Sequence, residues 1–380
     1  NLGAHAYSNV CLFDNRIFGV DAEDRNLLRF SKQVIESVPV EMSDYLSEYI
    51  APTTASQGST GPITAIAPMD DKLIIYKANA LGYISGQGPD NTGANNQYSN
   101  FILINSVVGC ENQQSIVFTP AGLMFQSTGK GIWLLGRDLS TQYIGAPVES
   151  LTQGAVIQSA VNVPSTTQVR FTLDSGITLM YDYFYGQWGT FNNIPSISSV
   201  VYQSLHTYLD KYGRVFQETP GLYLDNSSPV LMSFTTGWIN FAGLQGYERF
   251  YEMLLLGTYI TPYKLSVQFG YDYNPTIRQA TIVSPDNFAK NWGQDTLWGG
   301  APTWGGTPYQ GADIGATGTV FEARVFPTIQ KCESFRVTVT EQFDSSKGQP
   351  AGAGLSLSGM NLMIGVVRGN RTSRASRSFG

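Results

Sequence analysis

Few residues in this chain could do chemistry, and they are scattered. Only His5 and His206 are histidines, and neither has an acid and a nucleophile close by in sequence. A Ser-His-Asp triad or a metal-histidine site would have to be assembled through one of them. A surface or structural histidine is the simpler reading, because a fold does not by itself imply a site. There is no GxSxG, HExxH or P-loop, and no GxGxxG after a strand. Cys11, Cys110 and Cys332 lie far apart, with no CxxC pair. An odd, sparse count is not a disulfide framework and points to assembly in a reducing compartment.

Two acidic segments invite closer reading. Asp14, Asp21, Glu23 and Asp24 cluster in sequence and could hold calcium or act as the paired carboxylates of glycoside hydrolysis. Their spacing lacks the EF-hand pattern, and Asp21 to Asn26 reads as a polar hairpin connection. Asp174-Ser-Gly-Ile-Thr-Leu is similar to the Asp-box turn of sialidase propellers. It stands alone, so a plain β-turn is the better reading. No catalytic or metal-ligating residue and no cofactor is expected.

Two other groups are better placed to bind than to react. Trp292, Trp298 and Trp304 recur every six residues in a glycine-rich loop. Exposed tryptophans stack on sugar rings or anchor protein interfaces, and the loop could also fold back on its own domain. They are candidate interface residues. Arg368, Arg371, Arg374 and Arg377 close the chain with no acid among residues 368–380. They are candidate inter-subunit or phosphate contacts, or a plain disordered terminus. Taking those four from a formal net charge of −6 leaves a body of about −10, which gives no overall basic footprint for nucleic acid.

The elements that would position these residues are strands. Charged residues make up only 14% of the chain and aromatics 12%. That composition suits strands and turns, and it argues against both solvated helices and disorder. A hairpin unit recurs. Asn15-Arg-Ile-Phe-Gly-Val precedes Asn26-Leu-Leu-Arg-Phe, and Asp71-Lys-Leu-Ile-Ile-Tyr precedes Leu81-Gly-Tyr-Ile-Ser. Ala121-Gly-Leu-Met-Phe-Gln precedes Gly131-Ile-Trp-Leu-Leu, and Thr167-Gln-Val-Arg-Phe-Thr precedes Gly176-Ile-Thr-Leu-Met-Tyr. Lys211-Tyr-Gly-Arg-Val-Phe precedes Val230-Leu-Met-Ser-Phe. A repeat of roughly 45 to 55 residues is the period of propeller blades. Val169, Phe171 and Leu173 alternate with Arg170, Thr172 and Asp174, the pattern of a half-buried sheet. Trp188 reads as a core tryptophan at a blade edge. Met42 to Ile50 is the best helix candidate, with Ser43 or Asp44 as N-cap, and Gly86 to Asn100 reads as a loop.

After Gly243 the texture changes. Longer strands follow at Arg249–Gly257, Lys264–Tyr273, Val320–Phe326 and Ser334–Phe343, with Gly354–Val367 as a closing hairpin. They point to a β-sandwich of jelly-roll kind. The expected fold is therefore all-β: a β-propeller over residues 1–242, a β-sandwich over 243–367 and a basic tail over 368–380. No apolar run reaches the ~18 residues needed to span a bilayer. No signal peptide is visible, and the chain starts at Asn1.

The order of several segments resembles a known family. These are Asp14 to Asp21 with Arg25 to Ser31, Gly122 to Arg137 followed by Tyr143 to Glu149, Leu255 to Val267 with Tyr271-Asp-Tyr, and Gly359 to Gly369. In that order they resemble the tail-hub proteins of short-tailed bacteriophages, also called nozzles or packaged-DNA stabilisation proteins. The resemblance implies a propeller joined to a sandwich. It implies a closed ring, usually a hexamer, below the portal and adaptor and above other tail-tip proteins. The ring continues the DNA channel and retains the genome until ejection, without reading its sequence. It also implies assembly in the host cytoplasm, residence in the virion tail, no enzymatic activity, and an N-terminal segment that would complete the propeller. In that setting the arginine tail is better read as docking on a neighbour or adaptor, since a tight grip on DNA would oppose ejection. Two rival readings stay open: a glycan-binding or glycan-processing tail propeller using Trp298 and Trp304, and a scaffold propeller binding other proteins.

Overall fold

The computed structural model describes residues 6–42, 49–50, 61–90, 94–110, 112–127, 129–221, 224–225, 228–243, 246–259, 263–277, 279–283, 319–343 and 354–367. Among them the chain is nearly all β, with a single four-residue α-helix at Glu149–Thr152. It divides into two compact units, Asn1–Thr219 and Pro220–Gly380.

The first unit is a run of antiparallel meanders, each built from consecutive strands. Sheet A holds β1 (Tyr7–Phe13), β2 (Arg16–Asp21), β3 (Leu28–Phe30) and β4 (Tyr49–Ile50). Sheet B holds β5 (Ile63–Met69), β6 (Lys72–Lys77), β7 (Leu81–Ser85) and β8 (Ile102–Asn105). Sheet C holds β9 (Val117–Thr119), β10 (Gly122–Ser127), β11 (Gly131–Gly136) and β12 (Thr141–Tyr143). Sheet D holds β13 (Ile157–Val163), β14 (Gln168–Leu173), β15 (Thr178–Asp182) and β16 (Gln187–Phe191). Sheet E holds three strands, β17 (Ser196–Tyr202), β18 (Leu205–Asp210) and β19 (Val215–Gln217).

Local chemistry explains the meanders. Asp14 and Asn15 both sit at positive φ, as do Gln203 and Ser204. Such two-residue turns twist in the sense that flanking strands need, and Asn and Asp tolerate them. At Gly122 a Cβ would lie 2.0 Å from the Leu135 carbonyl oxygen, so only glycine lets β10 run this close to β11.

The sheets pack in chain order. Phe18, Val20 and Phe30 of sheet A meet Ile66, Leu73 and Ile75 of sheet B. Ile74 and Tyr76, on the other face of β6, meet Leu123 and Phe125 of sheet C. Met124 and Ile132 meet Val169 and Phe171 of sheet D. Inner sheets are thus covered on both faces. This changes the reading of β14: Arg170 and Thr172 are buried along with Val169 and Phe171, because sheet E lies against the polar face.

Two faces of the run stay open. On sheet A, Val10 and Leu12 lie on the face away from Phe18, and on sheet E, Val200, Tyr202 and Val215 lie on the face away from His206. These five apolar side chains are all more than half exposed.

The second unit begins with the two-residue strands β20 (Leu224–Asp225) and β21 (Ser228–Pro229). Then come β22 (Ser233–Thr235), β23 (Tyr247–Tyr259), β24 (Tyr263–Tyr271), β25 (Gln279–Val283), β26 (Thr319–Val325), β27 (Lys331–Cys332), β28 (Phe335–Phe343) and β29 (Leu355–Val367). One sheet runs β22-β28-β24-β25. In the other, β23 is flanked by β26 and β27 on one side and by β29 on the other. The two sheets share one core, where Phe250 stacks on Phe335 at 4.3 Å between ring centroids.

Four expectations shift. The units divide after Thr219, not after residue 242, because β22 pairs with β28 and Ile239 bridges Phe335. The fifth repeat is Leu205–Asp210 with Val215–Gln217, while Val230-Leu-Met-Ser-Phe belongs to the second unit. Gly354–Val367 is no hairpin: β29 is one continuous strand along β23, with a register shift near Gly359. At the expected helix, Tyr49–Ile50 pairs with β3 as strand, and residues 43–48 lie outside the described residues.

Candidate functional site

The first strands of the meanders carry several of the polar contacts that cross between sheets. Four of the five, β1, β5, β13 and β17, are seven residues long and carry a register shift at the same place, after their first residue. A bulge leaves a backbone group out of its own ladder. At β5 and β13 side chains from outside the sheet supply partners. Asn9 Nδ2 donates to the Thr64 carbonyl at 2.6 Å, and Asn112 Nδ2 donates to the Ile157 carbonyl. Thr64 Oγ1 donates onward to the Cys110 carbonyl.

Two glutamine amides act as surrogate peptide groups. Gln113 accepts from Ile66 N–H at 2.8 Å and donates to Ile66 C=O at 2.9 Å. Gln126 accepts from Ile157 N–H at 2.8 Å and donates to Ala155 C=O at 2.6 Å. Together these bonds form a belt joining sheets A, B, C and D. Sequence reading missed it. The one available signal was Gln126 itself, a polar residue inside the apolar run Leu123-Met-Phe-Gln.

Beside the belt the first strands of sheets A, B and C frame a cleft of about 440 Å³, lined by Cys11, Ile66, Pro68, Asp70, Gln113 and Phe118 among others. Its polar groups are already engaged. Arg137 Nη1 holds Asp70, and the Ile66 backbone holds Gln113. Burial pushes the Cys11 thiol up to about 12, so it stays protonated and a poor nucleophile at neutral pH. The cleft is an apolar hollow with no acid, base or nucleophile left over from those contacts.

One constellation looks catalytic at first sight. His206 Nε2 lies 3.3 Å from Ser199 Oγ, and Ser199 Oγ lies 2.6 Å from Ser196 Oγ. The third member, however, is a cation. Arg170 Nη1 donates to His206 Nδ1 at 2.9 Å and pairs with Glu218 at 3.1 Å. A guanidinium can only donate, so Nδ1 must accept and the ring proton sits on Nε2. That proton points at Ser199 and leaves no lone pair to deprotonate it. Burial first, and Arg170 second, push the His206 pKa down to about 4. The group is a polar rivet between sheets D and E.

The acidic cluster of the sequence is split by the fold. Asp14 sits at one end of β2, accepting from Tyr98 Oη at 2.9 Å and from Gly88 N–H at 3.2 Å. Asp21 sits at the other end, bound to Arg29 Nε at 2.7 Å and to the amides of Glu23 and Asp24. Burial works against the Asp21 carboxylate, but Arg29 and the two amides outweigh it and hold its pKa below the ordinary value. Asp210 repeats the arrangement with Arg214 and the Tyr212 amide in sheet E. Among the described residues no group of three acidic, His or Cys side chains could hold a metal ion.

Other expectations resolve simply. Asp174-Ser-Gly is a plain turn closed by Gly176 N–H to Leu173 C=O at 2.9 Å. Trp188 is half-buried at the edge of sheet D, packed on Tyr181, with its Nε1–H donating to Ile144 C=O at 2.9 Å. His5, Trp292, Trp298, Trp304, Arg368, Arg371, Arg374 and Arg377 lie outside the described residues. No described helix is long and apolar enough to cross a membrane.

No family model and no curated protein matches this sequence. Among solved structures, the chain aligns with the extracellular domain of a hybrid two-component system from B. thetaiotaomicron at 12% identity and a TM-score of 0.38. That alignment covers 64% of this chain and 30% of the other. HIRA residues 644–1017 align at 9% identity and a TM-score of 0.25, covering 50% of this chain and 57% of the other. Likeness at this level leaves the reading of the chain to its own geometry.

Proposed function

We propose that this chain is a structural subunit of a bacteriophage tail hub. Its work is mechanical: to stand in a closed ring, a hexamer by the family resemblance alone, around passing DNA. The observation that carries the mechanical reading is the serial stack of meanders laced by the belt of Asn, Gln and Thr side chains. Such a stack is stiff, and it is the architecture from which propellers are built. The apolar end faces at Val10 and Leu12, and at Val200, Tyr202 and Val215, fit a propeller in which a further sheet lies between sheets A and E. The second unit, read as a sandwich, gives the neighbour a second face. A negative body suits weak, sliding passage of phosphates better than a tight hold.

The assignment to a phage tail rests on the resemblance of Asp14–Asp21, Gly122–Arg137 and Leu255–Val267. The portal and adaptor above, the tail-tip proteins below, the location in the virion and the lack of enzymatic activity come with it. The serine–histidine pair supports a non-catalytic role, being wired with its proton toward the serine. The experiment is reconstitution with portal and adaptor proteins of a short-tailed phage, read by particle mass and electron microscopy. A ring of several copies bound to the adaptor is the expected result. A chain that stays monomeric and binds neither protein overturns the proposal.

A further inference from the structure

Among the described residues, a long unpaired backbone edge is the outer edge of β29. This strand is thirteen residues long, and its sequence Leu355-Ser-Leu-Ser-Gly-Met-Asn-Leu-Met-Ile-Gly-Val-Val has no charge and no proline. One edge pairs with β23. Among the described residues no strand pairs with the other. A free edge is a row of unpaired N–H and C=O groups, and proteins normally blunt it with lysine, proline, a bulge or a short strand. β29 has one bulge, at Ser358, but no lysine or proline, and its own Met363 and Val366, in the stretch past that bulge, are 59% and 52% exposed.

A second unguarded edge lies on the opposite side of the same two-sheet body. β25, Gln279-Ala-Thr-Ile-Val, is also uncharged and pairs only with β24 among the described strands. Its Ile282 is 61% exposed. Gln279 ties β25 to the segment after β26, donating to Phe326 C=O at 3.0 Å and accepting from Thr328 N–H at 2.7 Å. β29 starts instead over β28, where Leu355 N–H donates to Glu341 at 2.9 Å. The neighbouring edge on the β25 side, β26, carries the half-exposed pair Glu322 and Arg324, which makes β25 the cleaner partner.

We propose that the β29 edge of one copy receives β25 of a second copy of this chain. The two patches differ and lie on opposite sides, so the contact is heterologous. A contact of that kind repeats from copy to copy until a ring closes. This deepens the ring reading above and names the strands that would make it.

The test uses the whole chain. S358K and N361K place charges at exposed positions of β29. They are expected to weaken self-association at least tenfold, seen as loss of the large species in analytical ultracentrifugation, with the circular dichroism spectrum unchanged. Mixing M363C or N361C with I282C is expected to give a mixed disulfide, while each variant alone gives none. A lysine variant that keeps the wild-type mass overturns the strand assignment and leaves the ring reading standing. Cross-linking of M363C only to itself overturns the heterologous contact in favour of a two-fold pair. Wild-type chain that is monomeric at high micromolar concentration, with portal and adaptor present, overturns both readings.

Discussion

The two units solve the same problem, keeping β-strands paired and covered, in opposite ways. In the first, every ladder among the described residues joins strands adjacent in sequence, from β1–β2 through β18–β19. In the second, β22 pairs with β28 and β23 with β29, bringing Ser233 to Thr340 and Tyr247 to Val367. Buried charge differs as well. The first unit buries Arg16, Lys77 and Arg170, and its buried Asp21 and Asp210 each face an arginine. The second buries Glu248 and Glu341 with backbone amides as their hydrogen-bond donors. Local pairing leaves interfaces between sheets to be riveted by side chains. Long-range pairing lets one continuous core do that work, and its buried acids serve to cap loops.

The largest effect tests whether the units are separable. Phe171→Ala should cost the first unit about 3–5 kcal/mol and Phe250→Ala the second a similar amount. Calorimetry should show two transitions, each variant lowering one. Both transitions falling together in either variant would mean one cooperative body.

The next effect comes from His206. Unfolded, it takes a proton near 6.5; folded, only near 4. The unfolded chain therefore binds more protons within that window, and stability of the first unit falls as pH drops through it. The slope is at most ~1.4 kcal/mol per pH unit, on the order of 2–3 kcal/mol in all. His206→Gln should flatten the first transition between pH 6.5 and 4. An unchanged slope in the variant would remove His206 as its source.

The second unit should respond with the other sign. Burial raises the pKa of Glu248, whose Oε1 takes the amides of Phe241 and Ala242 while Oε2 has no hydrogen-bond partner. Its folded form holds the proton more tightly, so its contribution weakens as pH rises above the ordinary carboxylate value. Glu248→Gln keeps the accepting oxygen and removes the charge. It should raise the second transition at pH 8 by a few degrees, about 1 kcal/mol, and leave it unchanged near pH 4. A lower midpoint at pH 8 would show that the charge stabilises.

The smallest effect probes the belt. Asn112→Ala removes the donor to the Ile157 carbonyl and should lower the first transition by about 1 kcal/mol. No change would mean that the belt is incidental to stability.

What the sequence made legible follows the same division. The hairpins β2–β3, β6–β7, β10–β11 and β14–β15 were readable because apolar runs and turn residues lie side by side. The first strands were harder, since Ser196-Ile-Ser-Ser and Tyr7-Ser-Asn-Val mix polar residues into the apolar pattern, and the bulges of β5 and β13 find partners outside their own sheet. Arg170 and Thr172 looked solvent-facing for the same reason: their partners lie in the next sheet. In the second unit the strands were visible but their partners were not. Gly354–Val367 in particular reads as a hairpin because nothing local marks it as one strand running along β23. Of the site, sequence could say only that nucleophile, base and acid did not assemble locally.

The pairing of β22 with β28 also sets a timetable for synthesis. Ser233 and Thr340 are 107 positions apart, so a ribosome working at roughly 5–20 residues per second leaves the earlier strand waiting on the order of 5–20 s for its mate. The meanders can close as they emerge, each within a few tens of residues. During that wait β23 is also without β29, and a nascent chain in this state is the form most in need of a chaperone.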